Sequence, residues 1–209
     1  MRSFFDALAV LVLMVQLPVP LFWLVIHPAV NFWRRRPRAW YYRVALAVWL
    51  LSWAGLLIPY AWWLEKRFAW HPLLVLASLG LMATDIWLIY QAERRAGWRV
   101  LIGLPELQPW DSVGSVVSGG IYDRVRHPRY LGMMLSWWAA VLLSGASRLL
   151  GLVVVFMVLA FLAVELEERE LLARLGPAYA DYRRRVPRFI PRWRGPAGKL
   201  ADGARREQV

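Results

Sequence analysis

The sequence predicts an all-α integral membrane protein with about five transmembrane helices, including a C-terminal helical hairpin, and with short cytoplasmic helices outside the bilayer. Hydrophobic residues make up 59% of the 209 residues, and the mean hydropathy of +0.41 is too high for an ordinary soluble domain of this size. Arginine clusters separate the apolar runs, so a membrane surface explains the net charge of +12 better than a nucleic acid partner does.

Three apolar spans occupy the first part of the chain. Residues 4–26 form the first span, which we expect Pro18 and Pro20 to kink or break because proline has no backbone N–H to donate. This span is long for a signal peptide, and we expect it to be an uncleaved anchor. Residues 42–64 and residues 70–90 form the second and third spans.

Asp85 lies inside the third span. An ionisable side chain within a membrane helix is costly and tends to face a cavity or a polar partner. The alternative is that Asp85 lies close enough to the end of the helix to be hydrated. The sequence leaves both interpretations open.

The C-terminal hairpin follows from two apolar arms around a turn of small residues. The arms are residues 130–143 and 149–164, and the turn is residues 144–147. Counting from Ala146, His127 lies nineteen residues before the turn and Glu165 lies nineteen residues after it. The fold-back therefore brings the two polar ends together. Counted from Pro128 to Leu143, the first arm is about 24 Å long, shorter than a bilayer core of about 30 Å. We therefore expect these ends at one membrane face, where water-soluble and lipid-soluble molecules meet.

Each polar end has an ordinary explanation when it is taken alone. Proline is common at the first position of any helix, and His27-Pro28 and His71-Pro72 repeat the His-Pro pair without its arginine, tyrosine and glycine neighbours. The glutamates after the second arm are also typical of a solvated helix start. Their predicted proximity is what favours a functional site.

An ordered set of motifs in this region resembles the isoprenylcysteine carboxyl methyltransferase family and its phospholipid methyltransferase relatives. The resemblance covers about a third of the chain, and the ordered set is far more specific than any single motif. The motifs are Gly120, Tyr122, Arg126-His127-Pro128-x-Tyr130-x-Gly132, Glu167-Glu168-x-x-Leu171, Leu175-Gly176-x-x-Tyr179-x-x-Tyr182 and Val186-Pro187.

The resemblance implies an integral membrane enzyme that uses S-adenosylmethionine. It implies that residues 114–117 close over this cofactor. The chemistry of the residue types agrees: Glu167 can accept from the ammonium group, Arg126 can pair with the carboxylate, and an aromatic ring can face the sulfonium. The cofactor-binding residues that we predict are Tyr122, Arg126, His127, Pro128, Arg129, Tyr130, Gly132 and Glu167.

The methyl acceptor is less well defined than the cofactor. Enzymes of this family that act on isoprenylcysteine have an arginine four residues before the cofactor glutamate, where this chain has Ala163. We expect a lipophilic acceptor, isoprenylated or phospholipid-like, and a small thiol or phenol remains open. A phospholipid amine would have to lose a proton before it could attack the methyl group, so such an acceptor would need a general base. The candidate catalytic residues are Arg126, Glu168 and Asp85.

Two other functions are possible for a membrane protein with these motifs. A sterol-type reductase that uses NADPH has a similar His-Pro-x-Tyr-x-Gly motif, but such reductases resemble Asn-Tyr-x-Gly-Glu here, where this chain has Met133 after Gly132. A non-enzymatic membrane component would leave the polar cluster unexplained. We expect no metal, since the chain has no cysteine and its three histidines lack metal-ligand spacing.

The sequence also predicts the organisation of the chain. Residues 1–95 are an N-terminal transmembrane scaffold, residues 96–194 are a C-terminal catalytic core with a cofactor loop, the hairpin and a basic tail, and residues 195–209 are a disordered tail. If the chain crosses the membrane five times, the segments richest in arginine all lie on the same side of the membrane. The positive-inside rule then predicts a bacterial-type inner membrane protein whose active site faces the cytoplasm.

Overall fold

A computed structural model describes residues 2–68, 71–97 and 115–191, and the predicted disordered tail at 195–209 lies outside them. In these ranges the regular structure is helical, with 3-10 turns at His27–Ala29 and Gly120–Asp123. The α-helices are α1 (Arg2–Gln16), α2 (Pro18–Ile26), α3 (Val30–Arg34), α4 (Arg38–Leu57), α5 (Tyr60–Glu65), α6 (Pro72–Ala96), α7 (Pro128–Ser144), α8 (Ser147–Leu175) and α9 (Pro177–Arg185).

The helices confirm an all-α membrane protein. Four stretches are long and apolar enough to cross a bilayer: Arg2–Arg34, Arg38–Leu57, Pro72–Ala96 and Ser147–Leu175. Helix α7 is not among these four, and the fifth crossing that we expect there stays a prediction. It has 17 residues, which corresponds to about 26 Å, so the first arm of the hairpin is short, as we expected.

Proline interrupts two of the spans, and the sequence predicts the first of these interruptions. Helix α1 ends at Gln16, and α2 begins at Pro18 after the single residue Leu17. Helix α4 ends at Leu57, two residues before Pro59. Both interruptions follow from the missing N–H of proline and from the clash of its ring with the preceding turn.

Helix α7 lies at the centre of the molecule rather than at its lipid-facing surface. Its most extensive contacts are with α6 and α1. Trp137 of α7 is fully buried, as are Leu13 of α1 and Val153 of α8. Because helices from both predicted parts of the chain pack on α7, one core joins them, and the division at residue 95 stays a prediction.

Asp85 faces a protein partner and not water. Its side chain is buried, and its Oδ2 accepts hydrogen bonds of 2.6 Å from both Gln16 of α1 and Ser136 of α7. Gly132 of α7 lies directly against it, with the Asp85 Cα at 3.3 Å from where a Cβ of Gly132 would stand. The hydrated interpretation of Asp85 is therefore wrong, and the carboxylate ties three helices together.

Ion pairs identify the two ends of the helical bundle. At one end Arg67 binds Asp6 through two hydrogen bonds, of 2.7 and 2.9 Å, and also donates to the Ser144 carbonyl in the hairpin turn. At the other end Arg34 of α3 binds Glu170 of α8 at 2.6 Å. The chain thus runs from one end at Asp6 to the opposite end at Glu170, in agreement with an odd number of crossings.

Candidate active site

The fold-back of α7 and α8 brings the two predicted polar ends into contact. His127 caps the N-terminus of α7, and its Nε2 lies 3.0 Å from Oε1 of Glu168 on α8. Its Nδ1 lies 3.7 Å from Oε1 of Glu167. The predicted proximity of these residues is confirmed, and both glutamates face the same imidazole.

Glu168 is the centre of a buried ion-pair cluster. Its side chain is 1% exposed, and the guanidinium of Arg126 binds its Oε1 through Nε at 2.9 Å and Nη2 at 2.8 Å. Arg188 binds Oε2 at 2.6 Å, and Arg183 lies 3.6 Å from the same oxygen. A carboxylate can be buried only when it is paired and hydrogen-bonded, and this cluster supplies both.

The basic tail completes this cluster. The backbone N–H of Arg126 donates to the Pro187 carbonyl at 2.9 Å, and that of His127 donates to the Arg188 carbonyl at 3.2 Å. The Arg126 guanidinium also donates to the carbonyls of Arg183 and Val186. Residues 186–188 therefore lie along residues 126–127.

A glycine pair shapes the chain before this segment. Gly119 and Gly120 have φ angles of +93° and +61°, a region in which L side chains are strained. The N–H of Gly119 donates to Asp123 Oδ1 at 2.8 Å. A Cβ on Gly120 would stand 2.9 Å from Nε of Arg95, so glycine is also needed here for close approach to α6.

Three tyrosines pack beside the glycine turn. The hydroxyl of Tyr182 donates to the Tyr122 carbonyl at 2.7 Å, which holds α9 against the 3-10 turn. Burial, with a contribution from the charge of Glu167, raises the pKa of Tyr122 to about 12. Burial also raises the pKa values of Tyr179 and Tyr182. These phenols therefore stay neutral at physiological pH.

A cavity of about 540 Å³ lies between the ends of α6 and α8, the start of α7, and α2. Its polar lining includes Glu167 and the guanidinium groups of Arg95, Arg129 and Arg174. Its lining also includes Val19, Trp23, Tyr130 and Met133. The cavity thus offers charged groups of both signs next to an apolar wall.

Most of the predicted cofactor-binding residues line this cavity. Gly132, Glu168 and Asp85 are not among the described residues that form its wall. Residues 115–117 contribute to the wall, while Gly114 lies outside the described residues. The predicted residues that do line the cavity are Tyr122, Arg126, His127, Pro128, Arg129, Tyr130 and Glu167.

Sequence reasoning missed a buried ion-pair triad at the cavity. Oε1 of Glu170 accepts from Arg34 at 2.6 Å and from Arg174 at 3.0 Å, and the three side chains are at most 8% exposed. Glu167 and Arg174 are seven residues apart in α8, which places them on one helix face. That spacing was a usable signal, whereas nothing in the sequence pointed to Arg34 as the partner of Glu170.

Comparisons with known proteins find similar sequences among methyltransferases. The family model described as phospholipid methyltransferase matches residues 73–176. Methanethiol S-methyltransferase 2 of Bradyrhizobium diazoefficiens is 42% identical over 72 residues, which are 34% of this chain and 27% of that protein. The Mycobacterium tuberculosis methanethiol S-methyltransferase is 38% identical over 71 residues, 34% of this chain and 28% of that protein.

A longer but weaker match covers more of the chain. The methanethiol S-methyltransferase of Pseudomonas deceptionensis is 28% identical over 139 residues, 66% of this chain and 52% of that protein. The chain thus matches between about a quarter and a half of the length of these relatives. No solved structure matches the chain. The ordered motifs, the helical membrane fold and this match together show that residues 73–176 of the chain are similar to the phospholipid methyltransferase family of membrane methyltransferases.

Proposed function

We propose that this protein transfers a methyl group from S-adenosylmethionine to a small, lipid-soluble thiol at the membrane face. The observation that carries the proposal is the cavity, whose lining includes the Glu167 carboxylate, guanidinium groups and several apolar side chains. The donor carries an ammonium, a carboxylate and a sulfonium cation, so it needs charged groups of both signs. An apolar acceptor needs apolar side chains beside them.

The residues present fit the methyl donor. Glu167 lines the cavity with 22% of its side chain exposed, so its carboxylate is accessible to an ammonium group. We favour Arg174 over Arg126 for the donor carboxylate, because each nitrogen of the Arg126 guanidinium already donates to Glu168 or to a backbone carbonyl. Tyr122 and Tyr130 supply aromatic faces for the sulfonium or the adenine.

S-adenosylmethionine supplies an electrophilic methyl group when it is bound. The contribution of the chain is to orient the two reactants and to exclude water from the space between them. The partly buried Glu167 and the buried Arg174 suit this role, since ion pairs are stronger where water is excluded.

Several features favour a thiol over a carboxylate as the acceptor. Ala163 stands at the position where the enzymes that act on isoprenylcysteine have an arginine. It is fully buried in the core and is not part of the described cavity wall. The apolar wall, with Trp23 and Met133, suits a neutral acceptor. The relatives that match are methanethiol S-methyltransferases. A phospholipid amine is the second acceptor to test, because the family model carries that description.

We further propose that the cavity faces the cytoplasm of a bacterial-type inner membrane. The basic segment around Arg34 lies at the cavity end of the bundle, through its ion pair with Glu170. Residues 94–97 at the end of α6 and the basic helix α9 lie at this end too. The positive-inside rule favours the cytoplasm for such an end.

Calorimetric binding tests the donor site on the purified protein in detergent. We expect S-adenosylhomocysteine to bind and NADPH not to bind. Glu167→Gln and Arg174→Met should each weaken binding by roughly tenfold to 100-fold, the loss expected for a hydrogen bond to a charged group. Arg169→Met is the matched control, because the Arg169 side chain is 70% exposed and pairs only with Glu165 among the described residues. Binding of NADPH alone would move the chain to the reductase class.

A methylation assay tests the acceptor. The candidates are a short alkanethiol, a farnesylcysteine and phosphatidylethanolamine in vesicles, each with labelled donor. We expect transfer to the alkanethiol to be the fastest. Faster transfer to either lipid would overturn the thiol proposal while leaving the donor site intact.

A further inference from the structure

We propose that His127 is the general base that removes the proton of the acceptor thiol, and that Glu168 is the positioning residue that selects its tautomer. The inference rests on the proposed function, because only a protonated acceptor needs a base. A thiol reacts as its thiolate, and an aliphatic thiol is mostly protonated at neutral pH.

The contacts of the ring assign its tautomer. Nε2 of His127 lies 3.0 Å from Glu168 Oε1, and an ionised carboxylate can only accept. The guanidiniums of Arg126 and Arg188 hold Glu168 in its ionised form. The proton of the neutral imidazole is therefore on Nε2, and the lone pair is on Nδ1.

The basic nitrogen lies on the side of Glu167. Nδ1 is 3.7 Å from Oε1 of Glu167, and both residues line the cavity. After Nδ1 takes a proton, the imidazolium lies between two carboxylates. The rings of Tyr130 and Phe189 lie beside the imidazole, each with its centroid 6.1 Å from that of the imidazole.

The other charged groups around His127 do not replace it. Arg126 and Arg129 flank it in the chain, Arg188 approaches from the tail, and His27 lies within electrostatic range from the 3-10 turn after α2. The arginines are cations that cannot accept a proton. His27 is buried against Trp23, behind the described part of the cavity wall.

The other candidate bases are less suitable. Glu168 has both oxygens occupied by guanidinium groups and the imidazole. Asp85 is bound to Gln16 and Ser136 and is not part of the described cavity wall. Tyr122, with a pKa of about 12, stays protonated and cannot take a proton at neutral pH.

The step balances without another reactant. The S–H bond of the acceptor breaks, its proton moves to Nδ1 of His127, and its electron pair forms the new bond to the methyl carbon as the donor sulfur leaves with the old bonding pair. The thioether and S-adenosylhomocysteine are the products, and the imidazolium returns its proton to water.

A series of thiols of decreasing pKa tests this role with His127→Gln, whose amide can still donate to Glu168. General-base catalysis contributes about 100-fold to 10,000-fold, so we expect a loss of at least about 100-fold with ethanethiol. With a thiophenol, which is already ionised at neutral pH, the loss should be less than about tenfold. Glu168→Gln should show the same selective loss, because its amide N–H favours the opposite tautomer. His71→Gln, at the far end of the bundle, should change neither rate.

A binding measurement separates the base from a merely structural role. Thiophenols of higher pKa that bind to the wild type with S-adenosylhomocysteine should show the ultraviolet absorbance of the thiolate, and His127→Gln should bind them without it. An equal loss of rate across the whole thiol series, or thiolate absorbance that persists in the variant, would overturn the proposal. If the wild type fails to bind S-adenosylhomocysteine or to methylate any thiol, the proposed function fails instead.

Discussion

Arg188 reaches back twenty residues along the chain to bind Glu168 at 2.6 Å, and the same guanidinium nitrogen binds Glu165 at 2.8 Å. These bonds raise the pKa of Arg188 above its ordinary value. A residue of the C-terminal tail thereby neutralises a carboxylate that is buried behind the cavity. The tail is part of the active-site structure and not an appendage to it.

The first prediction concerns this pair. Arg188→Ala should lower the free energy of unfolding by about 1.5–3 kcal/mol, the range for a hydrogen bond to a charged group, because Glu168 keeps Arg126 as a partner. Thermal or denaturant unfolding in detergent measures the change. Arg184→Ala is the control, since Arg184 pairs with the exposed Asp181 and should contribute about 0–1 kcal/mol. Equal effects of the two variants would contradict the buried role of Arg188.

The second prediction concerns the approach of α6 to α7. Gly132→Ala places a methyl group on the Asp85 carboxylate and only 3.3 Å from its Cα, so the helices must separate. Overpacking of this kind costs typically about 1–3 kcal/mol, and we expect a lower unfolding midpoint. Gly80→Ala is a matched control in α6, because nothing lies within 4 Å of the added carbon. If the two variants unfold alike, α6 and α7 do not pack as closely as described.

The third prediction concerns alkaline pH. Burial raises the pKa of Tyr122 to about 12, whereas an unfolded tyrosine titrates near 10. The folded protein holds this proton more tightly, so the stability it contributes is present below about pH 10 and is lost as pH rises towards 12. The loss amounts to about 3 kcal/mol at most, given two pKa units at 1.36 kcal/mol each. Tyr122→Phe should flatten the dependence of the unfolding free energy on pH in this window, and an unchanged slope would refute the assignment.

The fourth prediction concerns orientation in the membrane. The chain has no cysteine, so a single introduced cysteine reports its own location. Arg36 and Lys66 are both exposed and lie at opposite ends of the bundle. Arg36→Cys should react with an impermeant maleimide only in inverted vesicles, and Lys66→Cys only in spheroplasts. Labelling of both from one side would exclude the five-crossing topology.

The sequence was informative wherever local chemistry decides the structure. The proline at position 18 ends α1 because of its own missing N–H, and the small turn residues set the hairpin. The contact of His127 with Glu168 followed from counting residues around that turn. These features depend on nearby residues, so they can be read from the chain.

The features that the sequence did not reveal depend on distant residues. Arg188 and Glu168 meet because the tail folds back, and Arg34 meets Glu170 across 136 positions. The sequence does contain a pattern that favours a central position for α7. Its small residues recur at helical spacing and let neighbouring helices approach closely; they are Gly132, Ser136, Ala139 and Ala140.

The docked tail also makes the site depend on the last part of the chain to be synthesised. Residues 183–188 follow α7 and α8, so a chain that ends before them contains Glu168 without Arg183 and Arg188. In such a chain the buried carboxylate keeps Arg126, and the backbone N–H of His127 lacks its bond to residue 188. We therefore expect a chain truncated at residue 182 to insert its hairpin with an incompletely neutralised carboxylate.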